Sequence, residues 1–201
     1  MGPERDRVIA LTAVLKTTVG RTIVAIDGRS SSGKTTLARR LAALTERSAV
    51  VHTDDVAWWH SRFGWADLLI ERVLRPFREG AAVSFRPPAW DEHDRDGSLE
   101  VPADTAVLVV EGVGSGRREL AEWMDQTIWV WAEQTDVDRR NYLRVGQPGG
   151  PATENDLLAW LAEENPFLDE DRPWERATVI VNGSSARPYD PRRQVVVVRE
   201  D

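Results

Sequence analysis

The chain contains one segment whose residue types and spacing could bind a phosphate chain. Residues 28–35 (GRSSSGKT), called the phosphate loop below, match G-x-x-x-x-G-K-[ST] between a β-branched run and a helical apolar pattern. Small residues let consecutive backbone N–H groups converge on a phosphate, and the positive N-terminus of the following helix strengthens the attraction. Lys34 would reach the β- and γ-phosphates, while the Thr35 hydroxyl could ligate Mg²⁺. We therefore predict a nucleoside triphosphate site formed by Gly28, Ser30, Ser31, Ser32, Gly33, Lys34, Thr35 and Thr36.

Carboxylates follow two other predicted strands, at 49–53 and 106–111. Asp54 and Asp55 come directly after the first strand, and Glu111 ends the second. A carboxylate near the γ-phosphate can orient an acceptor hydroxyl and take its proton, which is the role predicted for Asp54. Asp54 is also a candidate metal-binding residue, together with Thr35 and Glu111. Glu111 would be costly to bury unless it faced a cation, so it is predicted to support Mg²⁺. Alternatively, the aspartates cap a helix and Glu111 lies at a solvated strand end.

Arginines in a charged helical stretch could close over the phosphates. Arg140 and Arg144 are four residues apart, so they would share a helix face, with Arg139 beside them. Residues 147–151 (QPGGP) interrupt the helix, which favours a small lid at about 139–150. Such cations could neutralise the charge that develops on a transferred phosphoryl group. The alternative is a solvated helix surface with ordinary ion pairs.

The order of elements predicts an α/β fold in which strands position these residues. Short apolar strands at 22–27, 49–53, 106–111, 127–132 and 177–182 alternate with helices, including those at 34–44, 66–79, 136–145 and 154–164. This order predicts a five-stranded parallel sheet covered by helices on both faces, with ligands at the carboxyl ends of the strands. We also expect a helix over 5–19, an irregular stretch at 86–104 and a terminal edge strand at 194–199. The length of 201 residues suits a single domain over residues 1–201.

Composition and charge narrow the classes of partner. The formal net charge of −7 argues against a nucleic-acid partner, and the absence of cysteine excludes thiolate chemistry and Cys-ligated metals. No run of 18 apolar residues occurs, and the first residues lack the apolar core of a signal peptide. We therefore expect a cytoplasmic protein without a membrane partner. Its partner would be a small molecule, and both a monomer and a homo-oligomer are compatible with the sequence.

These motifs together resemble the uridine kinase and phosphoribulokinase branch of the P-loop kinases. The resemblance rests on residues 28–36 (GRSSSGKTT), 53–58 (TDDVAW) and 109–112 (VVEG). It implies a P-loop NTPase fold, ATP and Mg²⁺ as cofactors, and transfer of the γ-phosphate to a hydroxyl group. In this family the first aspartate of the second segment, here Asp54, is the catalytic base. The glutamate of the third segment, here Glu111, serves the metal.

The resemblance extends to the acceptor and lid segments, with departures. Residues 88–95 (PAWDEHDR) are similar to the family's Y-D-x-x-x-H-x-R, with Trp in place of Tyr and shorter spacing to the histidine. In the lid, residues 139–144 (RRNYLR) have one residue more than the family's R-R-x-x-R-D and lack its aspartate. The side chains expected to bind the acceptor, with aromatic rings for a planar base, are Asp55, Trp58, Trp90, Asp91, His93 and Arg95.

The sequence leaves two alternatives to a nucleoside kinase. A nucleoside monophosphate kinase would need a further anion site, for which Arg86 and Arg95 are available. A regulatory ATPase would need no acceptor. A GTPase-type N-K-x-D is excluded because Lys16 and Lys34 are the only lysines. Two loops have less defined predictions: residues 112–116 (GVGSG) as a permissive loop, and residues 182–185 (NGSS) near an adenine.

Overall fold

The computed structural model describes residues 6–16 and 20–200, with only the backbone of residues 199 and 200. The central sheet has seven strands in the order β1-β9-β8-β7-β2-β6-β3. Five adjacent strands, from β8 to β3, pair in parallel, as predicted. Two antiparallel strands extend the sheet, because β9 pairs with β8 and β1 pairs with β9. These strands are β1 (Arg7–Ala10), β2 (Thr22–Asp27), β3 (Ser48–His52), β6 (Val107–Glu111), β7 (Gln126–Trp131), β8 (Val179–Asn182) and β9 (Gln194–Glu200).

Helices connect the parallel strands and cover the sheet. They are α1 (Lys34–Leu44), α2 (Thr53–Ala57), α3 (Ala66–Leu69), α4 (Arg75–Arg78), α5 (Pro88–Glu92), α6 (Gln134–Arg144) and α7 (Glu154–Asp171). A π-helical turn, Ile70–Leu74, joins α3 to α4 and lies next to Pro76, whose backbone has no N–H for the ladder. The predicted helix over 66–79 is therefore observed with a local change of pitch. Within the described residues, no helix is long and apolar enough to cross a membrane.

Apolar cores fill both faces of the sheet. On one face, Val24 and Val109 pack with Leu37 and Leu41 of α1. On the other face, Leu108 packs with the α3–α4 region, and the β7–β8 side of the sheet packs with α7. All residues of β2 and β6 are buried, which explains why these strands read as continuous apolar runs rather than alternating ones. The predicted α/β fold with helices on both faces is confirmed.

Two predictions about the chain ends are wrong. The expected helix over 5–19 is, in its described part, strand β1 followed by a short 3-10 helix, Leu11–Ala13. Val8 and Ile9 pair with Val196 and Val195, so two segments rich in β-branched residues form adjacent antiparallel strands. The predicted edge strand at 194–199 consequently lies inside the sheet, between β8 and β1. Residues 5 and 17–19 of the predicted helix lie outside the described residues.

Regular structure is more extensive than predicted in two other regions. The stretch 86–104 contains α5 and β5 (Leu99–Val101), which pairs antiparallel with β4 (Val83–Phe85). Helix α7 runs seven residues past its predicted end at 164 and includes Pro166. Its start is fixed by a capping box in which Thr153 and Asp156 exchange side-chain and backbone hydrogen bonds.

The core packing predicts a contrast between two leucines in helices. Leu69 is fully buried against the sheet, whereas Leu158 is 53% exposed on α7. Leu69→Ala should lower the free energy of unfolding by about 2–5 kcal/mol, because it loses apolar burial and leaves a cavity. Leu158→Ala is the matched control and should change it by less than about 0.5 kcal/mol. Denaturant unfolding measures both, and equal losses would contradict this packing.

Candidate active site

The carboxyl ends of the central strands open into a cavity of about 900 Å³. The phosphate loop, α6 and the start of α7 surround it. The predicted site residues that line it are Ser30, Ser31, Ser32, Gly33, Lys34, Thr35, Thr36, Asp54, Glu111, Arg140 and Arg144. The structure thus brings together residues that are more than 100 positions apart in the chain.

The phosphate loop has the backbone form that a phosphate cradle requires. Gly33 adopts φ of +109°, which favours glycine, and immediately precedes the first residue of α1. The N-terminus of α1 therefore opens toward the cavity at Lys34. Lys34 is nearly buried, and its Nζ donates to the backbone carbonyl of Arg29 at 2.9 Å. The ammonium group is thereby held beside the loop that it would serve.

A buried carboxylate fixes the base of this loop. Asp27, at the end of β2, is fully buried and accepts hydrogen bonds from the backbone N–H groups of Gly28, Gly114 and Gly116 at 2.7–2.9 Å. Burial raises the pKa of Asp27 to about 6, although these three bonds and the charge of Lys34 oppose the rise. The loop 112–116 is buried and supplies two of the three donors. Asp27 was not predicted, although a lone carboxylate ending an apolar strand was a usable signal.

A second buried carboxylate holds the loop from α7. Glu164 is fully buried and accepts from the Ser30 backbone N–H and the Ser30 hydroxyl, both at 2.7 Å. The indole N–H of Trp160 also donates to Glu164, at 2.6 Å. Nothing in the sequence predicted this contact, because 134 positions separate Ser30 from Glu164. Helix α7 is therefore fastened to the phosphate loop.

Thr35 and Glu111 fit the predicted magnesium site. The Thr35 hydroxyl donates to Glu111 Oε1 at 3.0 Å, and His52 Nδ1 shares the same oxygen. Glu111 Oε2 is buried and has no hydrogen-bond partner within the described residues. Burial alone would raise the pKa of Glu111, but the His52 hydrogen bond, Lys34 and Thr35 together lower it, so the carboxylate is ionised. An unpartnered buried carboxylate oxygen beside a hydroxyl suits a hard cation.

The metal would need further ligands from the nucleotide and water. No group of three or more His, Cys, Asp or Glu side chains capable of holding a metal occurs among the described residues. Mg²⁺ commonly takes one or two protein ligands and completes its shell with phosphate oxygens and water. Thr35 and Glu111 fit that arrangement, with Asp54 lining the same cavity.

Asp54, the predicted proton acceptor, lies at the wall of the cavity. It belongs to α2 and lines the cavity, where its side chain remains accessible. The surrounding protein disfavours its charge and raises the pKa of the carboxyl group, Glu111 and Asp55 raise it further, and Lys34 opposes both effects.

A smaller cavity of about 210 Å³ adjoins the first. It is lined by Asp54, Ala57, Trp58, Trp59, Arg62 and Trp160. Asp54, Arg62 and Trp160 line both cavities, so they mark the place where the cavities meet. Trp58 was expected here, whereas Arg62 and Trp160 were not predicted. Three tryptophan side chains give the smaller cavity an aromatic lining.

The remaining predicted acceptor residues line neither cavity among the described residues. Arg95 pairs with Asp55 and stacks over Trp90, whose ring centroid is 3.8 Å away. His93 stacks on Trp59 with ring centroids 4.3 Å apart. Asp91 pairs with Arg86. The segment 88–95 therefore contacts the aromatic lining through His93 and Arg95 and does not line the cavity itself.

The lid arginines bind the phosphate loop at Ser31. Arg140 donates to the carbonyl of Ser31 at 3.4 Å and to that of Gly183 at 3.1 Å. Arg144 donates to the Ser31 hydroxyl at 3.4 Å and to the carbonyl of Gly149. Both guanidinium groups line the larger cavity, so the predicted shared helix face is observed.

Comparisons with solved structures identify the fold. A structure described as a possible uridine kinase from Bacillus stearothermophilus aligns with a TM-score of 0.55 and 20% identity, over 84% of this chain and 92% of that one. The chain has the fold of the P-loop kinases. A shikimate kinase from Bacteroides thetaiotaomicron aligns at a TM-score of 0.42 and 17% identity, over 83% of this chain and 89% of that one. No protein-family model and no curated protein matches the chain.

This kinase scaffold agrees with the resemblance drawn from the motifs. At 20% identity the comparison extends to the fold and not to the substrate. The residue roles therefore rest on the geometry of this chain, above all on the phosphate loop, Glu111 and Asp54.

Asp27 predicts a pH dependence of stability. Its pKa is about 6 in the folded protein against an ordinary value of 3.8, so the folded state binds the extra proton between these values. The stability contributed by protonation is complete below pH 3.8 and is lost as the pH rises through about 6. Relative to Asp27→Asn, the wild type should lose about 2 kcal/mol of unfolding free energy between about pH 4 and pH 7.5.

Denaturant unfolding of both proteins at the two pH values measures this difference. Because all other titrating groups are common to the pair, subtraction isolates Asp27. A difference between wild type and Asp27→Asn that does not change with pH would contradict the buried, amide-bound carboxylate.

Proposed function

We propose that the protein is an ATP-dependent phosphotransferase that moves the γ-phosphate to a hydroxyl group of a small metabolite, most simply a nucleoside. The observation that carries the proposal is the position of Asp54 where the two cavities meet. One cavity contains the phosphate loop, and the other offers an aromatic lining to an acceptor. A hydroxyl bound in the second cavity would reach Asp54 and the γ-phosphate together.

Each residue has a defined task in this reaction. Lys34 and the loop N–H groups bind the triphosphate and orient it toward Asp54. The oxygen of the acceptor hydroxyl attacks the γ-phosphorus while Asp54 accepts the hydroxyl proton. The bond between the γ-phosphorus and the leaving ADP oxygen breaks in the same step. Mg²⁺, held by Thr35 and Glu111, would neutralise charge on the phosphates. Arg140 and Arg144 would cover the triphosphate from α6 and exclude water.

The aromatic lining of the smaller cavity favours a planar acceptor. Trp58 and Trp59 can stack on a heterocyclic base. Arg86 and Arg95, the candidates for an anion site, are paired with Asp91 and Asp55. Neither arginine lines the smaller cavity, so these two residues do not form the anion site that a nucleoside monophosphate would need there. A regulatory ATPase would give no role to an aromatic cavity beside Asp54.

The test is ADP release from Mg-ATP with a panel of nucleosides, nucleoside monophosphates and sugar phosphates. At least one uncharged nucleoside should stimulate turnover by the wild type. Asp54→Asn should lower kcat by about 10²–10⁴-fold, because the proton acceptor is lost while the phosphate loop is intact. Asp67→Asn, an exposed aspartate of α3 that lines neither cavity, is the matched control and should retain full activity.

Two results would count against the proposal. Slow hydrolysis that no acceptor accelerates would favour a regulatory ATPase. Stimulation that survives in Asp54→Asn would keep a kinase but remove Asp54 as its base.

A further inference from the structure

We propose that Arg62 is a catalytic residue that binds the transferred phosphoryl group. This inference rests on the proposed phosphotransferase function and adds a residue that the motifs do not contain. Arg62 lies in the segment between α2 and α3, outside the phosphate loop and the lid. Its guanidinium group would stabilise charge on the phosphoryl oxygens as the group passes between the two cavities.

Arg62 lies where the two cavities meet. Three residues line both cavities, and Arg62 is the cation among them, beside Asp54 and Trp160. A phosphoryl group that leaves the nucleotide for the acceptor must cross this place. Lys34 binds at the phosphate loop, and the lid arginines bind at Ser31. Arg62 is therefore placed to add positive charge on the acceptor side of the reaction.

Two carboxylates give the region around the junction a negative charge. Asp54 lines the junction, and Glu111 lines the larger cavity near it. Both carboxylates repel a phosphoryl group that approaches the acceptor. A guanidinium group offsets that repulsion. Because the group is planar, two of its N–H groups can donate to two phosphoryl oxygens at once. Preorganised charge of this kind is a large component of phosphoryl-transfer catalysis.

The hydrogen bonds of Arg62 leave part of its guanidinium group available to bind a phosphoryl oxygen. Nη1 donates to the carbonyl of Ala159 at 3.2 Å and pairs with Glu163. Within the described residues, Nε and Nη2 have no protein acceptor. The side chains of Arg62 and Glu163 are 39% and 52% exposed, so their ion pair is weak and can exchange for a phosphoryl oxygen.

The backbone around Arg62 is well anchored. The indole N–H of Trp65 donates to the carbonyl of Arg62 at 2.9 Å. Phe63 stacks on Phe167 of α7 with ring centroids 4.4 Å apart. Since the Ala159 contact also belongs to α7, the guanidinium group is tied to the helix that carries Trp160. A preorganised cation loses little freedom when it binds the phosphoryl group.

The test compares Arg62→Ala with Arg75→Ala. Arg75 is a matched control, because it is also exposed and paired with a glutamate, Glu71, but lines neither cavity. With the best acceptor, Arg62→Ala should lower kcat by about 10²–10³-fold and change the KM for Mg-ATP by less than about threefold. Free guanidinium ion should restore part of the lost rate. Arg75→Ala and Glu163→Gln should stay within about threefold of wild type.

A binding measurement separates failure of this inference from failure of the proposed function. The planar complex of Mg-ADP with aluminium fluoride mimics a phosphoryl group in transfer and needs no acceptor turnover. Arg62→Ala should bind this complex at least about tenfold more weakly than wild type, with unchanged affinity for Mg-ADP. If the wild type has no acceptor-stimulated activity but this difference remains, the kinase proposal fails and the role of Arg62 in phosphoryl binding stands.

The inference is overturned if Arg62→Ala matches Arg75→Ala in kcat and in affinity for the aluminium fluoride complex. Thermal melting of each variant shows whether it is folded. Should Arg62→Ala melt early, Arg62→Met, which keeps the apolar stem, takes its place in the same comparisons. A rate loss in Arg62→Met without rescue by guanidinium and with normal binding of the complex would also overturn it.

Discussion

The phosphate loop of this protein depends on two buried carboxylates that bind its backbone. Asp27 joins the loop to the segment that follows Glu111 by accepting from Gly28, Gly114 and Gly116. Glu164 joins the same loop to α7 through Ser30. Each carboxylate would be costly to bury alone, and the hydrogen bonds offset that cost only in the folded arrangement. These hydrogen bonds consequently fix the positions of the phosphate loop, the Glu111 strand and α7 relative to one another.

This arrangement determines which side chains lie around the candidate active site. Glu111 must lie near Thr35 to support a metal, and α7 must stay near the loop for Trp160 to line both cavities. Asp54 and Arg62 complete the junction from the segments that follow β3. The two cavities thus share a wall that contains a carboxylate, Asp54, and a cation, Arg62. In the proposed reaction, the aromatic lining would select the acceptor and the loop would bind the triphosphate.

The parts of the site that the sequence predicted are those encoded by local pattern. The phosphate loop, Asp54 and Glu111 each follow a short apolar strand, and a parallel sheet brings such strand ends together. Arg62 and Glu164 carry no pattern, because their roles come from contacts across more than 90 positions of sequence. The helix prediction for the segment 5–19 was wrong for a related reason. Its apolar spacing fits a helix, but pairing of Val8 and Ile9 with β9 decides its structure.

The central claim is that a nucleotide in the larger cavity presents its γ-phosphate at the junction. A crystal structure with Mg²⁺ and a non-hydrolysable ATP analogue tests this most directly. We expect the phosphates on the loop beside Lys34, the metal beside Thr35 and Glu111, and the γ-phosphate facing Asp54 and Arg62. A triphosphate bound elsewhere, or a γ-phosphate directed away from Asp54 and Arg62, would contradict it.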